Sequence, residues 1–211
     1  MNIIECEQGS PEWFAARMGD VSASRVADII AKTKTGYSAS RENYLTELVL
    51  QRFGVKDEGF TNAAMEWGTE QEPFARTAYE LRNDVLVKQV GYVLHPTIKH
   101  AGASPDGLVG DDGLLEIKCP NTKTHFEYLL DGNPPQKYKT QMSWQMAVCE
   151  RKWCDFVSFD PRAPEGLQYF EYRYMRDDEY IKMLEQEVAQ FLIEVNERYQ
   201  ALQTKLESIK G

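Results

Sequence analysis

Several features that assign a protein to a specialised class are missing from these 211 residues. No stretch approaches the roughly 20 consecutive apolar residues that a membrane-crossing helix requires, so no membrane span is expected. The N-terminal residues contain no basic segment followed by an apolar run, so no secretory signal is expected and the expected location is cytoplasmic. No G-x-x-x-x-G-K-[ST] phosphate loop occurs, so an ATP-driven motor is not expected within the chain.

Cysteine and histidine patterns typical of a metal centre are also missing. The four cysteines include no C-x-x-C pair, and Cys149 and Cys154, with four residues between them, have no second matching pair and no histidine nearby. We therefore expect free thiols, as is usual in a reducing compartment, and neither a zinc site nor an iron–sulfur cluster. The three histidines, His95, His100 and His125, lack the mutual spacing of metal ligands and are expected to be structural or surface residues.

The net charge is −9, from 33 acidic and 24 basic residues, but the charges are unevenly distributed. Residues 17–41 contain five basic and two acidic side chains, and residues 117–164 contain seven basic and five acidic ones. Residues 57–80 contain six acidic side chains against one arginine. Because local basic segments and bound metal ions can offset an overall negative charge, the composition does not exclude a nucleic-acid partner.

Hydrophobic periodicity divides the chain into three parts without a linker, so a single domain over residues 1–211 is expected. Residues 10–81 are predicted to be mainly helical, residues 85–175 to form a sheet with inserted helices, and residues 177–210 to form a long helix. This order predicts an α/β or α+β fold with a mixed central sheet flanked by helices. The apolar stripe of the last helix is expected to contact the core, with a subunit seam as the alternative.

Individual elements follow from the same patterns. The predicted helices cover about 10–19, 22–30, 40–53, 63–81, 122–130 and 136–149, with loops at 32–36 and 54–62. The predicted strands cover 85–95, 106–110, 114–119, 153–159 and 167–174.

The most informative segment is a predicted hairpin that turns at Asp111-Asp112-Gly113. Side chains alternate along a strand, so Glu116 and Lys118 face one side and Ile117 the other. The hairpin also brings Asp106, at the start of the first strand, close to the end of the second. Two carboxylates, the Ile117 carbonyl and an ammonium group would then meet at one point.

This set of groups suits a divalent cation. Carboxylate oxygens are the ligands that Mg²⁺ and Mn²⁺ prefer, and these ions also recruit phosphate oxygens. The arrangement is consistent with metal-assisted hydrolysis in which Lys118 orients or helps to deprotonate a metal-bound water. Glu-x-Lys alone is more typical of a surface hairpin with both charges in solvent, and the upstream Pro105-Asp106 brings the metal-site interpretation level with it.

Longer matches carry a family resemblance. Pro105-Asp106 followed by Glu116-Ile117-Lys118 resembles the PD-(D/E)xK nuclease signature, and the surrounding strings Ala103–Leu108 and Gly113–Pro120 resemble the lambda exonuclease type of viral recombinase. Further matches occur in order along almost the whole chain: Trp13…Arg17-Met18-Gly19…Ser22-Ala23-Ser24, Trp67-Gly68…Glu72, Tyr138…Gln141…Gln145-Met146 and Asp160-Pro161-Arg162.

The resemblance implies a restriction-endonuclease-like core and a Mg²⁺-dependent exonuclease, with two ions per site and Mn²⁺ as a substitute. It implies degradation of one strand of linear double-stranded DNA from its 5′ end, with release of mononucleotides and a 3′ single-stranded overhang. It further implies a ring-shaped homotrimer and a partner protein that anneals the remaining single strand.

The same resemblance implies roles for individual residues of the metal site. Asp106, Glu116 and the Ile117 carbonyl would bind metal. Lys118 would assist the nucleophilic water.

Five further residues receive implied roles around that site. Glu72 and Gln141 would help to hold metal-bound water or to position the lysine. Arg17, with Ser24 and Ser104, would bind the 5′-terminal phosphate, for which the planar guanidinium fork is well suited.

Other interpretations stay open from the sequence. Trp13 and Met18 are expected either to wedge the duplex end or to pack in the core. An endonuclease of the same fold and a DNA-end-binding protein without turnover are the two alternative functions. The intact set of Asp106, Glu116 and Lys118 argues against the second alternative.

Overall fold

The computed structural model describes residues 1–55 and 63–210. The predicted loop over 54–62 therefore lies almost entirely outside the described residues. Seven α-helices occur within the described ranges: α1 Pro11–Ala16, α2 Val26–Ile30, α3 Ala39–Arg52, α4 Ala63–Asn83, α5 Thr122–Asp131, α6 Gln136–Cys149 and α7 Asp178–Lys210.

Capping side chains explain where two of these helices begin. The Ser10 hydroxyl accepts the Trp13 backbone N–H at 3.2 Å, and Pro11 is the first residue of α1. The Asn121 side chain accepts the Thr124 backbone N–H at 3.0 Å at the start of α5. Both caps satisfy a backbone donor that has no partner inside its own helix.

The described strands form three sheets. In chain order they are β1 Asn2–Ile4, β2 Val21–Ser22, β3 Lys32–Thr33, β4 Gly36–Tyr37, β5 Val87–Lys88, β6 Tyr92–Leu94, β7 Ala101–Ala103, β8 Gly107–Val109, β9 Gly113–Lys118, β10 Trp153–Phe159 and β11 Tyr169–Met175. The largest sheet has the order β11-β10-β9-β8-β5, and a four-stranded sheet has the order β1-β6-β7-β2.

The five-stranded sheet contains the predicted hairpin. Strands β8 and β9 pair antiparallel, with Val109 opposite Gly113, so the predicted turn between them is confirmed. Strand β9 pairs parallel with β10, whereas the other pairs in this sheet are antiparallel. The sheet is therefore mixed, as expected for the α/β class.

Three local predictions are wrong. The helix predicted from Ser22 starts instead with a 3₁₀ turn at Ala23–Arg25, since Ser22 pairs in β2 and provides no side-chain cap. The loop predicted over 32–36 is a two-stranded hairpin of β3 and β4, closed by a hydrogen bond of 3.1 Å from the Thr33 hydroxyl to a backbone carbonyl. The single strand predicted over 85–95 is divided between β5 and β6, which belong to different sheets.

The core consists of two clusters on opposite faces of the five-stranded sheet. The larger cluster joins α2, α3, α6 and α7, and the smaller one packs α4 through Ala75 and Tyr79. Along β9, Leu114 belongs to the larger cluster, whereas Leu115 and Ile117 belong to the smaller. Glu116 and Lys118 therefore face the side of the sheet covered by α6.

Helix α7 contacts the core over only part of its length. Within the predicted apolar stripe, Ile181, Leu184, Val188, Phe191 and Val195 are buried, whereas Leu202, Leu206 and Ile209 are exposed. The expectation of core contact is thus right for the first half of the stripe and wrong for the last turns, because α7 extends past the helices that cover it. Within the described ranges, every helix is too short or too polar to cross a membrane.

Candidate active site

Glu116 is the centre of a buried polar cluster. Its side chain is only 1% exposed and forms an ion pair with Lys118, two residues further along β9. One carboxylate oxygen also accepts the Gln141 side-chain N–H at 2.7 Å, and the other accepts the Gln145 N–H at 2.6 Å. Helix α6 therefore fixes both oxygens of the carboxylate from one side.

Asp106 approaches the same point from the adjacent strand. Asp106 directly precedes β8, and its Oδ2 accepts the backbone N–H of Ile117 at 2.6 Å. Because the N–H and C=O of one strand residue point to the same side of the strand, the Ile117 carbonyl also faces Asp106. The structure thus brings together the four predicted metal-site residues, Asp106, Glu116, Ile117 and Lys118.

The ionisation of this cluster is strongly perturbed. Burial raises the pKa of Asp106 well above its ordinary value, and the negative charge of Glu116 raises it further. Burial by itself lowers the pKa of Lys118, but the adjacent Glu116 and Asp106 carboxylates together raise it above its usual range. Two acids held together in this way repel one another, and a cation relieves that repulsion.

The donor set fits a hard divalent cation. An ionised carboxylate offers about four lone-pair sites, and the three donors to Glu116 leave room for one more ligand contact. In the described part of the chain, no group of three or more His, Cys, Asp and Glu side chains is arranged to bind metal. An ion here would take Asp106, Glu116, the Ile117 carbonyl and water, which is the mixed set that Mg²⁺ accepts.

Glu72 lies on α4, at the other face of the sheet from α6. Its carboxylate pairs with Arg76 at 2.5 Å. Its charge contributes to the raised pKa of Asp106 and, after burial, to that of Cys119, which rises to about 12. Glu72 is thus close enough to raise the pKa of Asp106. The ion-pair partner of Lys118 is Glu116 and not Glu72. The predicted role of Glu72 in holding metal-bound water or positioning Lys118 stays a prediction.

The predicted phosphate-binding residues share one small cavity. Arg17, Ser24 and Ser104 line a space of about 70 Å³, together with Trp13 and Gln141. Gln141 is the residue that also donates to Glu116. A single side chain therefore borders both the cavity and the carboxylate cluster.

The guanidinium of Arg17 is available for an anion. Within the described ranges it forms no hydrogen bond or ion pair with another side chain, and it stacks on the Trp13 ring at 4.1 Å. The Arg17 side chain is half-buried, and this burial lowers its pKa. A partly buried and unpaired arginine beside two hydroxyl groups is the arrangement expected for a phosphate site.

Trp13 is not a buried core residue, and its alternative role as a wedge at the duplex end stays a prediction. The side chain is half-buried, and its indole N–H donates to the Ser104 hydroxyl at 2.7 Å. The same ring supports Arg17. Trp13 thus holds two of the predicted phosphate-binding residues in place, a role that the sequence interpretation missed.

Gln145 was also absent from the predicted site. It is fully buried, and its amide N–H donates to Glu116 while its amide oxygen has no protein partner in the described ranges. The signal was available, since Gln145 follows Gln141 by four residues and so lies on the same face of a helix.

The Asp160-Pro161-Arg162 motif acts in the framework around the site. The buried Asp160 accepts hydrogen bonds from Thr122 and Arg162, at 2.6 and 2.8 Å. Burial raises the pKa of Asp160, but these hydrogen bonds outweigh burial and hold it below the usual value. Arg162 also stacks on Trp67 of α4 at 4.1 Å, so the motif ties β10 to α4 and α5.

Known proteins resemble this chain in sequence. Residues 12–152 match the YqaJ-like viral recombinase domain. Over 168 residues, 74% of this chain, the sequence is 26% identical to the uncharacterised protein R354 of Acanthamoeba polyphaga mimivirus. The matched region spans only 29% of that curated relative's length.

Solved structures extend the comparison. LHK-Exo, an alkaline exonuclease from Laribacter hongkongensis, is 50% identical over 95% of this chain and 100% of its own. Two of its crystal structures, one in complex with dAMP, give TM-scores of 0.90 and 0.89. A phage-related exonuclease from Haemophilus somnus 129PT, 15% identical over 89% of this chain and 96% of its own, has a TM-score of 0.66 and shares the fold.

These similarities confirm the predicted mixed α/β nuclease fold and the predicted class of nuclease hydrolase. The family match extends over more than half of the residues and includes the hairpin of β8 and β9, helix α6 and the cavity lined by Arg17, Ser24 and Ser104. The chain belongs to the YqaJ-like viral recombinase family.

Proposed function

We propose that the protein is a metal-dependent 5′-to-3′ exonuclease that acts on linear double-stranded DNA. It releases mononucleotides and leaves a 3′ single-stranded overhang. One observation carries the proposal: Gln141 donates to Glu116 and also lines the cavity of Arg17, Ser24 and Ser104. A pocket for a terminal phosphate thus adjoins a hydrolytic cluster, which favours cleavage next to the strand end.

Asp106, Glu116 and the Ile117 carbonyl would hold Mg²⁺, with Mn²⁺ as a substitute and two ions per site. When bound, such ions lower the pKa of water and stabilise the charge that develops on phosphate oxygens. The protein's own contribution is to fix the carboxylates, since Glu116 is held by Gln141, Gln145 and Lys118.

Lys118 contributes positive charge beside the reacting phosphate. The two neighbouring carboxylates raise its pKa against the effect of burial and so favour the ammonium form. An ammonium group donates hydrogen bonds and stabilises negative charge. In this proposal Lys118 orients the attacking water or helps to deprotonate it.

Arg17, Ser24 and Ser104 select the strand end. The guanidinium fork matches two phosphate oxygens, and the two hydroxyl groups add neutral donors. A 5′-hydroxyl end has no terminal phosphate to contact these groups, so the pocket favours 5′-phosphorylated ends. A terminal phosphate also carries more negative charge than an internal one, which strengthens its contact with Arg17.

The proposal extends to assembly and partners. A chain of this size is too small to encircle a duplex alone, so we propose a homotrimeric ring around the DNA, and a single-strand annealing protein as the partner that takes the product. Its DNA substrate and its four free cysteines are consistent with action in the cytoplasm. Light scattering that gives a monomer at working concentration would contradict the ring.

The decisive assay compares linear and circular duplex DNA in Mg²⁺. We expect the linear duplex to be degraded, faster with a 5′ phosphate than without one, and the covalently closed circle to survive. Cleavage of the circle would instead indicate an endonuclease. Tight binding to ends without any product would indicate an end-binding protein.

A further inference from the structure

A second cavity, of about 610 Å³, lies next to the small phosphate pocket. Arg17, Ser22 and Ser24 line both spaces, so the two cavities share a wall. The volume lies within the range of cavities that bind small molecules or single nucleotides. Any group covalently attached to a phosphate on Arg17 has this space within reach.

Apart from Arg17 and the hydroxyl groups of Ser22 and Ser24, the charged and amide side chains around the larger cavity are already engaged with protein groups. Arg25 pairs with Asp28 at 2.7 Å and with Glu47 at 2.8 Å. Gln51 accepts the Gly19 backbone N–H at 2.9 Å and donates to Glu47 at 3.2 Å. The cavity therefore offers an occupant mainly apolar surface and few free hydrogen-bonding groups.

An exposed aromatic ring lies at this cavity. Phe14 is 57% exposed although it is a large apolar residue, and it contacts Trp13 edge to face with ring centroids 4.9 Å apart. Met18 lines the same space. Stacking on such a ring requires a flat partner and no particular pattern of donors and acceptors.

We propose that this cavity binds the nucleobase of the 5′-terminal nucleotide, which stacks on Phe14 while its phosphate contacts Arg17. The proposal rests on the proposed exonuclease function and adds a base-binding subsite to it. Because every base presents a flat face, and because the charged and amide side chains nearby other than Arg17 are paired, the subsite recognises the presence of a base and not its identity.

The test compares two linear duplexes that carry a 5′ phosphate and differ only in the terminal residue, either deoxyadenosine or an abasic tetrahydrofuran unit. For the unaltered protein in Mg²⁺ we expect a KM about 5- to 150-fold higher for the abasic end, the range given by stacking of one base on an aromatic side chain. Phe14→Ala should raise the KM of the normal end to that of the abasic end and leave the abasic end unchanged. Phe14→Tyr, which keeps a ring, should behave like the unaltered protein.

Phe74→Ala is the matched control, because Phe74 is 62% exposed and lies on α4, away from the cavity lining. A second readout needs no turnover: in EDTA the unaltered protein should bind the 5′-phosphorylated end with the terminal deoxyadenosine more tightly than the abasic end, and Phe14→Ala should bind both ends equally. Equal KM values for the two ends, with both degraded, would overturn the subsite and leave the exonuclease intact. No degradation of either end would overturn the exonuclease function itself.

Discussion

In the carboxylate cluster both oxygens of Glu116 accept hydrogen bonds from protein groups, whereas in the adjoining small cavity the guanidinium of Arg17 has no anionic partner among residues 1–55 and 63–210. The first region is a network that holds a carboxylate in one orientation. The second keeps a cation available and supports it on a neutral ring. Both regions are partly buried, so the difference lies in whether the charge is paired before the substrate arrives.

The contrast indicates a division of tasks. A paired carboxylate is preorganised for a cation and loses little free energy to rearrangement when one binds. An unpaired arginine in a poorly solvated pocket gains strongly from a phosphate, because the ligand supplies the missing charge. We therefore expect substitutions in the first region to abolish turnover and substitutions in the second to change the choice of strand end.

The largest effect is expected for Glu116→Gln, which preserves shape but removes the charge that attracts the metal and Lys118. Activity in saturating Mg²⁺ should fall about 1,000-fold or more, since a Lewis-acid metal contributes several kcal/mol. The initial rate on linear duplex measures this loss. The control is Glu165→Gln, an exposed carboxylate in a loop, and equal activity of the two variants would contradict the metal-site assignment.

Arg17→Gln should have the next largest effect, and only on phosphorylated ends. Loss of a charge-assisted hydrogen bond, at roughly 1.5–3 kcal/mol, predicts a decrease in kcat/KM of about 10- to 100-fold for 5′-phosphate duplex. The value for 5′-hydroxyl duplex should hardly change. Lys34→Gln, an exposed residue of the same basic segment, is the control. An equal decrease on both substrates would show that Arg17 does not read the terminal phosphate.

Gln145→Leu tests the hydrogen-bond network that holds the Glu116 carboxylate. The change removes the donor to one oxygen of Glu116, and groups that orient a metal ligand typically contribute 10- to 100-fold in metal affinity or activity. We expect the Mg²⁺ concentration for half-maximal rate to rise about 10-fold. Gln200→Leu, on the exposed face of α7, should leave it unchanged. A loss of maximal rate with no shift in this concentration would show a merely structural role.

Trp13→Phe should produce the smallest change. It removes the indole N–H that donates to Ser104 but keeps a ring beneath Arg17. One neutral hydrogen bond of about 0.5–1.5 kcal/mol predicts a decrease of roughly 2- to 10-fold in the preference for 5′-phosphate ends. Trp13→Leu, which removes both contacts, should reduce the preference further. Equal preferences for 5′-phosphate ends in Trp13→Phe and Trp13→Leu would contradict a role for the Trp13 ring in the phosphate pocket.

The carboxylate half of the candidate site was predictable because it depends on local rules. Alternation along β9 places Glu116 and Lys118 on one face, and a short hairpin brings Asp106 to them without any knowledge of the remaining fold. The spacing of Gln141 and Gln145 on one helix carried a further signal of the same kind.

The phosphate half was assigned only by resemblance, because its geometry is tertiary. The contact between Trp13 and Ser104 joins residues that are 91 positions apart in the sequence, and hydrophobic periodicity cannot predict such a contact. The four-stranded sheet that supports this pocket was missed for a related reason. Its strands contain only two or three residues each, fewer than alternation needs to become visible.

The central claim is that the end-binding pocket and the hydrolytic cluster form one site joined at Gln141. The most direct measurement is the length of the first product released from linear duplex labelled at its 5′ phosphate, in Mg²⁺ and under single-turnover conditions. The account predicts a labelled mononucleotide from the first turnover onward. Labelled oligonucleotides as the first product would contradict it, because the cut would then lie several nucleotides away from the bound end.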